Sequence, residues 1–164
     1  MMAFFGWLET LSFSQWVRES GSLWAFPMFL FSHTLGMAMV AGGSTLISFA
    51  LLGLWPKGPI KPLEKLYPVM WTGFGVNLFT GVGLFCADAT TRAVNIDFWV
   101  KLVFVAIGVW ALARMRKVVF ANPTLDTAPV PQNMKTLAWV SLICWFGAIC
   151  AGRLIAYVGP VAGV

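Results

Sequence analysis

A single histidine, His33, interrupts an otherwise apolar stretch that reads FPMFLFSHTLGMAMVAGG over residues 26–43. Two further basic residues, Lys101 and Arg153, lie just inside the ends of later apolar stretches. Ionisable side chains are costly inside a membrane span and usually face the interior of a bundle or a cavity. An imidazole nitrogen can bind heme iron, and lysine and arginine pair with anionic groups. These three residues are therefore the first candidates for a functional site.

The second apolar stretch carries a face of small residues, because Gly73, Asn77 and Gly81 recur at every fourth position. Residues four apart lie one above the other on a helix, so this face is flat and slightly polar. Such a face either lets two helices approach closely or leaves room for a planar ligand.

Together these residues predict a heme b placed edge-on to the membrane, in a protein for electron transfer or redox sensing. His33 is the predicted iron ligand, and Lys101 and Arg153 are the predicted partners of the heme propionates. Asn77 and Gly81 complete the predicted cofactor-binding set. Because the chain has one histidine, the sixth iron position would be empty, filled by a methionine or supplied by another subunit. Chlorophyll-type pigments, which need one axial imidazole, fit the same pattern.

Each of these polar residues also has a structural interpretation. His33 can donate a hydrogen bond to a neighbouring helix. Lys101 lies near a helix end and can extend its side chain toward the membrane surface. Arg153 can pair with Asp88 or Asp97 and tie helix ends together. On this interpretation the residues hold the bundle together and bind no ligand.

Other function classes receive less support from the sequence. There is no GxSxG, HExxH, Walker or paired-carboxylate arrangement, which argues against a hydrolase and leaves enzymatic activity open. A non-catalytic accessory subunit of a larger respiratory or photosynthetic membrane complex, holding pigment or lipid, is the alternative function. A small transporter is disfavoured because no internal repeat and no chain of ionisable groups crosses the apolar stretches.

Composition sets the fold class. The chain has 164 residues, of which 59% are hydrophobic and 10% charged, and its mean hydropathy is +0.81, whereas soluble domains average about a quarter charged residues. A membrane span needs about 20 apolar residues. We therefore predict an all-α, integral membrane four-helix bundle that forms one domain over residues 1–164. The predicted spans are residues 23–55, 67–87, 98–120 and 135–158.

The first twenty residues mix aromatic and polar side chains in a pattern typical of a short amphipathic helix at the membrane interface. The opening MMAFFGWLET has no basic region and no small-residue cleavage site, so we predict no cleaved signal peptide. Cys86, Cys144 and Cys150 form an odd set without a CxxC pair. This pattern argues against a disulfide framework or a zinc site.

The distribution of basic residues predicts the orientation. Loop one (residues 56–65) and loop three (residues 119–135) lie on the same side of the bundle, and loop two (residues 88–97) lies on the other. Seven basic residues belong to loops one and three or their flanks: Lys57, Lys61, Lys65, Arg114, Arg116, Lys117 and Lys135. The positive-inside rule places them in the cytoplasm and both termini in the periplasm of a bacterial inner membrane. The net charge of +5 is thus explained by topology, and no nucleic-acid partner is predicted.

Several motifs together resemble a known family. They are SFSQWVRES, SHTLGMAMVAGG, WTGFGVNLFTGVGLF, FWVKL and AGRLIAY. They are similar to a family of small bacterial four-helix inner-membrane proteins with no established activity, over about residues 12 to 158 and at positions including His33, Lys101 and Arg153. The layout is more distantly similar to cytochrome-b-like and copper-resistance membrane proteins, which usually carry more histidines. With one histidine per chain, we also expect a homo-oligomer or a subunit of a larger complex in the lipid bilayer.

Overall fold

The computed structural model describes residues 2–54, 58–123 and 125–158, with side chains up to residue 155. Seven α-helices lie in this part of the chain: α1 Met2–Glu9, α2 Ser12–Glu19, α3 Phe26–Leu52, α4 Tyr67–Ala87, α5 Ala89–Val94, α6 Ile96–Val118 and α7 Gln132–Val158. The helices α3, α4, α6 and α7 supply the four described segments that are long and apolar enough to cross a membrane. The predicted all-α, four-span fold is confirmed. Trp55, the predicted end of the first span, and Lys57 lie outside the described residues.

The first span is a continuous helix whose ends have clear causes. Pro27 lies in its first turn, where the missing N–H is not needed. Gly53 ends it in the left-handed conformation, with φ 75°, which glycine adopts without steric cost. The helix therefore stops before the predicted residue 55. At 1.5 Å per residue it is about 40 Å long, more than the roughly 30 Å hydrocarbon core needs.

The spans pack as two close pairs, α3 with α4 and α6 with α7. In the first pair a Cβ at Gly36 would come 2.6 Å from the carbonyl oxygen of Gly73, so the two backbones touch. In the second pair a Cβ at Gly147 would come 2.8 Å from the Phe104 ring. Small residues thus allow the α3 and α4 backbones to touch and leave room for the Phe104 ring against α7, contacts that favour helix association in membranes.

The two pairs are packed together mainly at the end of the bundle that carries loops one and three. Tyr67 Oη donates to the Leu112 carbonyl at 3.2 Å, and the Ser44 and Ser141 hydroxyls lie 2.6 Å apart. A continuous apolar core surrounds these bonds, including Ile47, Leu51, Met70, Ala111, Met115 and Trp145. At the loop-two end, Phe85 of α4 stacks on Phe98 of α6 with ring centroids 5.2 Å apart.

The predicted short N-terminal helix is present as two helices, α1 and α2, which contact the loop-two end of the bundle. Val17 of α2 is fully buried, whereas α1 buries no residue. Glu9 accepts hydrogen bonds from the backbone N–H and the hydroxyl of Thr90, both at 2.7 Å. These N-terminal helices, which we call the N-terminal arm, are therefore tied to α5.

Candidate functional site

His33 lies half-buried on α3 and is bonded to α4 through its Nδ1 atom. Nδ1 lies 3.0 Å from the Asn77 carbonyl oxygen and 3.1 Å from the Thr80 hydroxyl. In return, the Asn77 side-chain amide donates to the His33 carbonyl at 2.7 Å. A carbonyl oxygen only accepts, so Nδ1 carries the proton in this bond. The Nε2 atom of a neutral ring is then left with its lone pair.

Lys101 of α6 fills the space in front of that lone pair. Its Nζ lies 3.2 Å from His33 Nε2, and the ammonium group is the donor. Its aliphatic stem packs against α7, where a Cβ at Gly152 would lie 3.5 Å from the Lys101 Cδ and Cε atoms. Lys101 thus reaches across the bundle to α3. The alternative interpretation, in which this side chain extends toward the membrane surface, is wrong.

Gly81 makes room for the imidazole. A Cβ at this position would lie 3.1 Å from His33 Cε1, closer than nearly all real contacts of this kind. Asn77, only 8% exposed, fixes the other side of the ring. The glycine-rich face of α4 therefore serves two purposes, because Gly73 contacts the α3 backbone and Gly81 accommodates His33.

The structure brings four of the five predicted site residues together, namely His33, Lys101, Asn77 and Gly81. Arg153 follows Gly152 on α7, and its side chain is exposed. Asp88, one of the partners considered for Arg153, forms an ion pair with Arg92 at 3.5 Å.

Two nearby residues were not predicted as part of the site. The only sequence feature that indicates Thr80 is its spacing of three residues from Asn77, which places both residues on one helix face. Arg92, on α5, lies within electrostatic range of both His33 and Lys101. No sequence signal identified this arginine, because its position depends on how loop two folds back over the bundle.

His33 offers one nitrogen donor to a metal ion or to a heme iron. Among the residues that the structure describes, no group of three or more His, Cys, Asp and Glu side chains could hold a metal ion. The three cysteines are free thiols. The Nε2 lone pair of His33 could donate to a heme iron. The Lys101 ammonium would first have to move away from it, which a long flexible side chain allows.

A groove of about 410 Å³ adjoins the same cluster and is lined by residues of α3 and α4. It is almost wholly apolar, and Ser32 and Thr80 contribute the hydroxyl groups of its lining. Thr80 therefore faces the groove and also contacts His33. Phe29, at the rim, packs against Phe13 of the N-terminal arm with ring centroids 5.6 Å apart.

The N-terminal arm carries its own electrostatic contacts. Hydrogen bonds from the Thr90 hydroxyl and backbone, aided by the Arg18 charge, lower the pKa of the Glu9 carboxyl below its ordinary value, against a smaller effect of burial. Arg18 lies 3.7 Å from Glu9 and 2.8 Å from Glu19. The contact between the arm and α5 therefore favours the ionised form of Glu9.

Comparisons with models of known protein families, with curated proteins and with solved structures give no match to this chain. The resemblance drawn from its motifs stays a prediction.

Proposed function

We propose that this chain is a membrane-embedded heme b-binding protein with a role in electron transfer or redox sensing. One observation carries the proposal: the Asn77 carbonyl holds the Nδ1 proton of His33, which leaves Nε2 as a lone-pair donor. Histidine ligands of metals commonly donate their other ring N–H to a carbonyl or carboxylate in this way, which fixes the ring and raises its basicity.

Several residues around His33 would contribute to heme binding. His33 would bind the iron, and Asn77 and Gly81 would hold the ring in place. Lys101 would leave Nε2 and pair with an anionic edge of the cofactor, together with Arg153. When bound, heme supplies one-electron redox chemistry.

Absorbance spectra of purified protein, followed by titration with hemin, test the proposal. His33→Ala and His33→Gln should both weaken hemin binding at least tenfold, because glutamine can form hydrogen bonds but is a poor iron ligand. Ser141→Ala, in the other half of the bundle, removes a hydroxyl that contacts Ser44; it is the matched control and should bind like the wild type. A wild-type protein that carries no chromophore and takes up no hemin would refute the proposal.

The alternative, an accessory subunit of a larger membrane complex that holds pigment or lipid, is favoured by a different observation. Both ring nitrogens of His33 already have partners within the chain, so the cluster is complete without a ligand. In that case His33→Gln should keep most of the stability that His33→Ala loses, since interhelical hydrogen bonds are worth about 0.6 to 2 kcal/mol. Thermal unfolding in detergent distinguishes the two substitutions, and mass measurement in mild detergent shows whether the chain is monomeric, homo-oligomeric or part of a larger assembly.

We further propose that the protein spans a bacterial inner membrane with both termini in the periplasm. Exposed basic residues at the loop-one end support this orientation: Lys61, Lys65, Arg114, Arg116 and Lys117. The site around His33 would then lie in the outer leaflet half of the bundle.

A further inference from the structure

The N-terminal arm is attached to the bundle by side chains from each of its two helices. In α1, the Glu9 carboxylate accepts both hydrogen bonds from Thr90 of α5. The Phe5 ring of the same helix meets Phe85 of α4 edge-on, with ring centroids 6.0 Å apart. In α2, Val17 is fully buried. Because α1 itself buries no residue, the arm can open locally while the spans stay packed.

The arm contacts the wall of the groove between α3 and α4 at its loop-two end. The Phe13 and Trp16 rings of α2 lie 5.6 and 6.4 Å from the Phe29 ring. Phe29 lines the groove together with Phe79, whose ring centroid is 6.1 Å away. A Cβ at Gly83 of α4 would meet the rings of Phe29 and Phe13, at 2.6 and 3.5 Å. The arm, α3 and α4 are therefore in close contact at this end of the groove.

The groove leads to the protonated nitrogen of His33. Thr80 lines the groove, and its hydroxyl donates to the Val76 carbonyl at 2.7 Å. The hydroxyl oxygen can therefore accept from His33 Nδ1, which lies 3.1 Å away. The Nδ1 proton is thus shared between the Asn77 carbonyl and a hydroxyl of the groove lining. Water that entered the groove would compete for this proton.

In a bilayer, water reaches this hydroxyl most directly from the loop-two end. The open side of the groove faces hydrocarbon, which contains almost no water. Thr80 lies about 10 Å along the helix from Ala87, the last residue of α4. The N-terminal arm packs against the same end of α4. The position of the arm therefore determines how easily water passes along the groove to His33.

We infer that the N-terminal arm is a lid over the loop-two end of the groove, kept closed by the hydrogen bonds between Glu9 and Thr90. The closed lid keeps water from the Nδ1 proton of His33, and the open lid admits it. The bond from Nδ1 to a protein acceptor raises the basicity of the other ring nitrogen, so the lid adjusts the donor strength of Nε2. The significance of that adjustment for iron binding rests on the proposed function, whereas the lid itself does not.

Exchange of the His33 Nδ1 proton with water tests the inference. The full-length protein is labelled with isotopically enriched histidine and placed in nanodiscs without heme. Because the chain has one histidine, every imidazole signal in a proton–nitrogen correlation spectrum comes from His33. The Nδ1 proton should exchange slowly in the wild type. It should exchange about tenfold faster in Glu9→Ala, since hydrogen bonds to an ionised group are stronger than those between neutral groups.

A second substitution tests the lid without removing the Glu9 contact. Phe13→Ala deletes a ring that packs against Phe29 and should also speed exchange of the Nδ1 proton. Glu9→Gln keeps an oxygen that can accept from Thr90, so its exchange rate should lie between those of the wild type and Glu9→Ala.

Two substitutions within the arm are matched controls. Glu19→Ala removes a carboxylate that pairs with Arg18. Phe4→Ala removes a ring whose described aromatic partners, Phe5 and Trp7, belong to the same helix. Both should leave exchange of the Nδ1 proton unchanged. Backbone hydrogen exchange in α7, which packs against α3 and α6, should be the same in all variants, and this separates opening of the lid from unfolding.

Equal exchange of the Nδ1 proton in the wild type, Glu9→Ala and Phe13→Ala would overturn the inference. So would equal acceleration by Glu19→Ala, or acceleration that α7 shares in both test variants, because the cause would then be general loosening of the bundle. The measurement uses no heme. A protein that takes up no hemin can still show the lid, and one that binds hemin can lack it, so the two proposals fail separately.

Discussion

Replacing Gly36 by alanine should separate α3 from α4 and disturb the His33 cluster. The added Cβ would lie 2.6 Å from the Gly73 carbonyl oxygen and 2.9 Å from the Asn77 backbone nitrogen. Both atoms belong to the backbone, so no side chain can rotate away and the helices themselves must move. Overpacking of this kind costs about 1 to 3 kcal/mol.

The same movement would stretch the bonds between His33 and Asn77, which lie at 2.7 and 3.0 Å. Each interhelical hydrogen bond lost adds about 0.6 kcal/mol to the cost. For a domain of this size, 1 kcal/mol corresponds to roughly 2 to 4 °C in unfolding temperature. We therefore expect Gly36→Ala to cost about 1.6 to 4.2 kcal/mol and to lower that temperature by roughly 3 to 17 °C.

Gly42→Ala is the matched control, because it makes the same substitution in the same helix where a Cβ would meet nothing within 4 Å. It should leave the unfolding temperature in detergent unchanged or slightly raised, as alanine favours helix more than glycine. If Gly36→Ala were as stable as Gly42→Ala, the close backbone contact between α3 and α4 would be wrong.

Two further predictions concern topology and pH. With the natural cysteines replaced, a cysteine at Lys61 should be shielded from an impermeant thiol reagent in intact cells and one at Thr10 should react; the reverse pattern would invert the proposed orientation. The pKa of Glu9 is lowered by folding, so the stabilisation that its ionised form gives to the N-terminal arm is complete above the ordinary glutamate pKa and is lost as the pH falls through the lowered value. The protection of the α1 amides, taken relative to their intrinsic exchange rate at each pH, should therefore fall below about pH 4. Glu9→Gln keeps an oxygen that can accept from Thr90 but carries no charge, so its protection should not depend on pH in this way; an arm that keeps its full protection in acid would contradict the role of the ionised carboxyl.

The four spans were predictable from the sequence because hydropathy depends only on composition along the chain. The ends of the spans were less predictable. The helix α6 begins at Ile96 and α7 at Gln132, which is two and three residues before the predicted starts. Polar residues such as Gln132 lower the local hydropathy but continue the helix. The break between α1 and α2 and the short α5 were missed, since tertiary contacts such as those between Glu9 and Thr90 stabilise them.

The candidate site was predictable to the extent that helical periodicity determines it. His33, Asn77 and Gly81 meet because two helices present regular faces to each other. The reach of Lys101 across the bundle was not predictable, because a long side chain has several directions open to it and packing selects one. Arg92 depends on the fold of loop two, about which periodicity gives no information.

The uneven joining of the two helix pairs has a mechanical consequence. A packed apolar core holds the pairs together at the loop-one end, and at the other end the His33–Lys101 bond crosses between them. The chain itself also joins the pairs at that end, through loop two, and Phe85 stacks on Phe98 there. The contacts between the pairs are thus polar and aromatic near His33 and apolar in the larger core at the loop-one end. We therefore expect substitutions around His33 to change contacts in one half of the bundle, and substitutions in the apolar core to change the stability of the whole bundle.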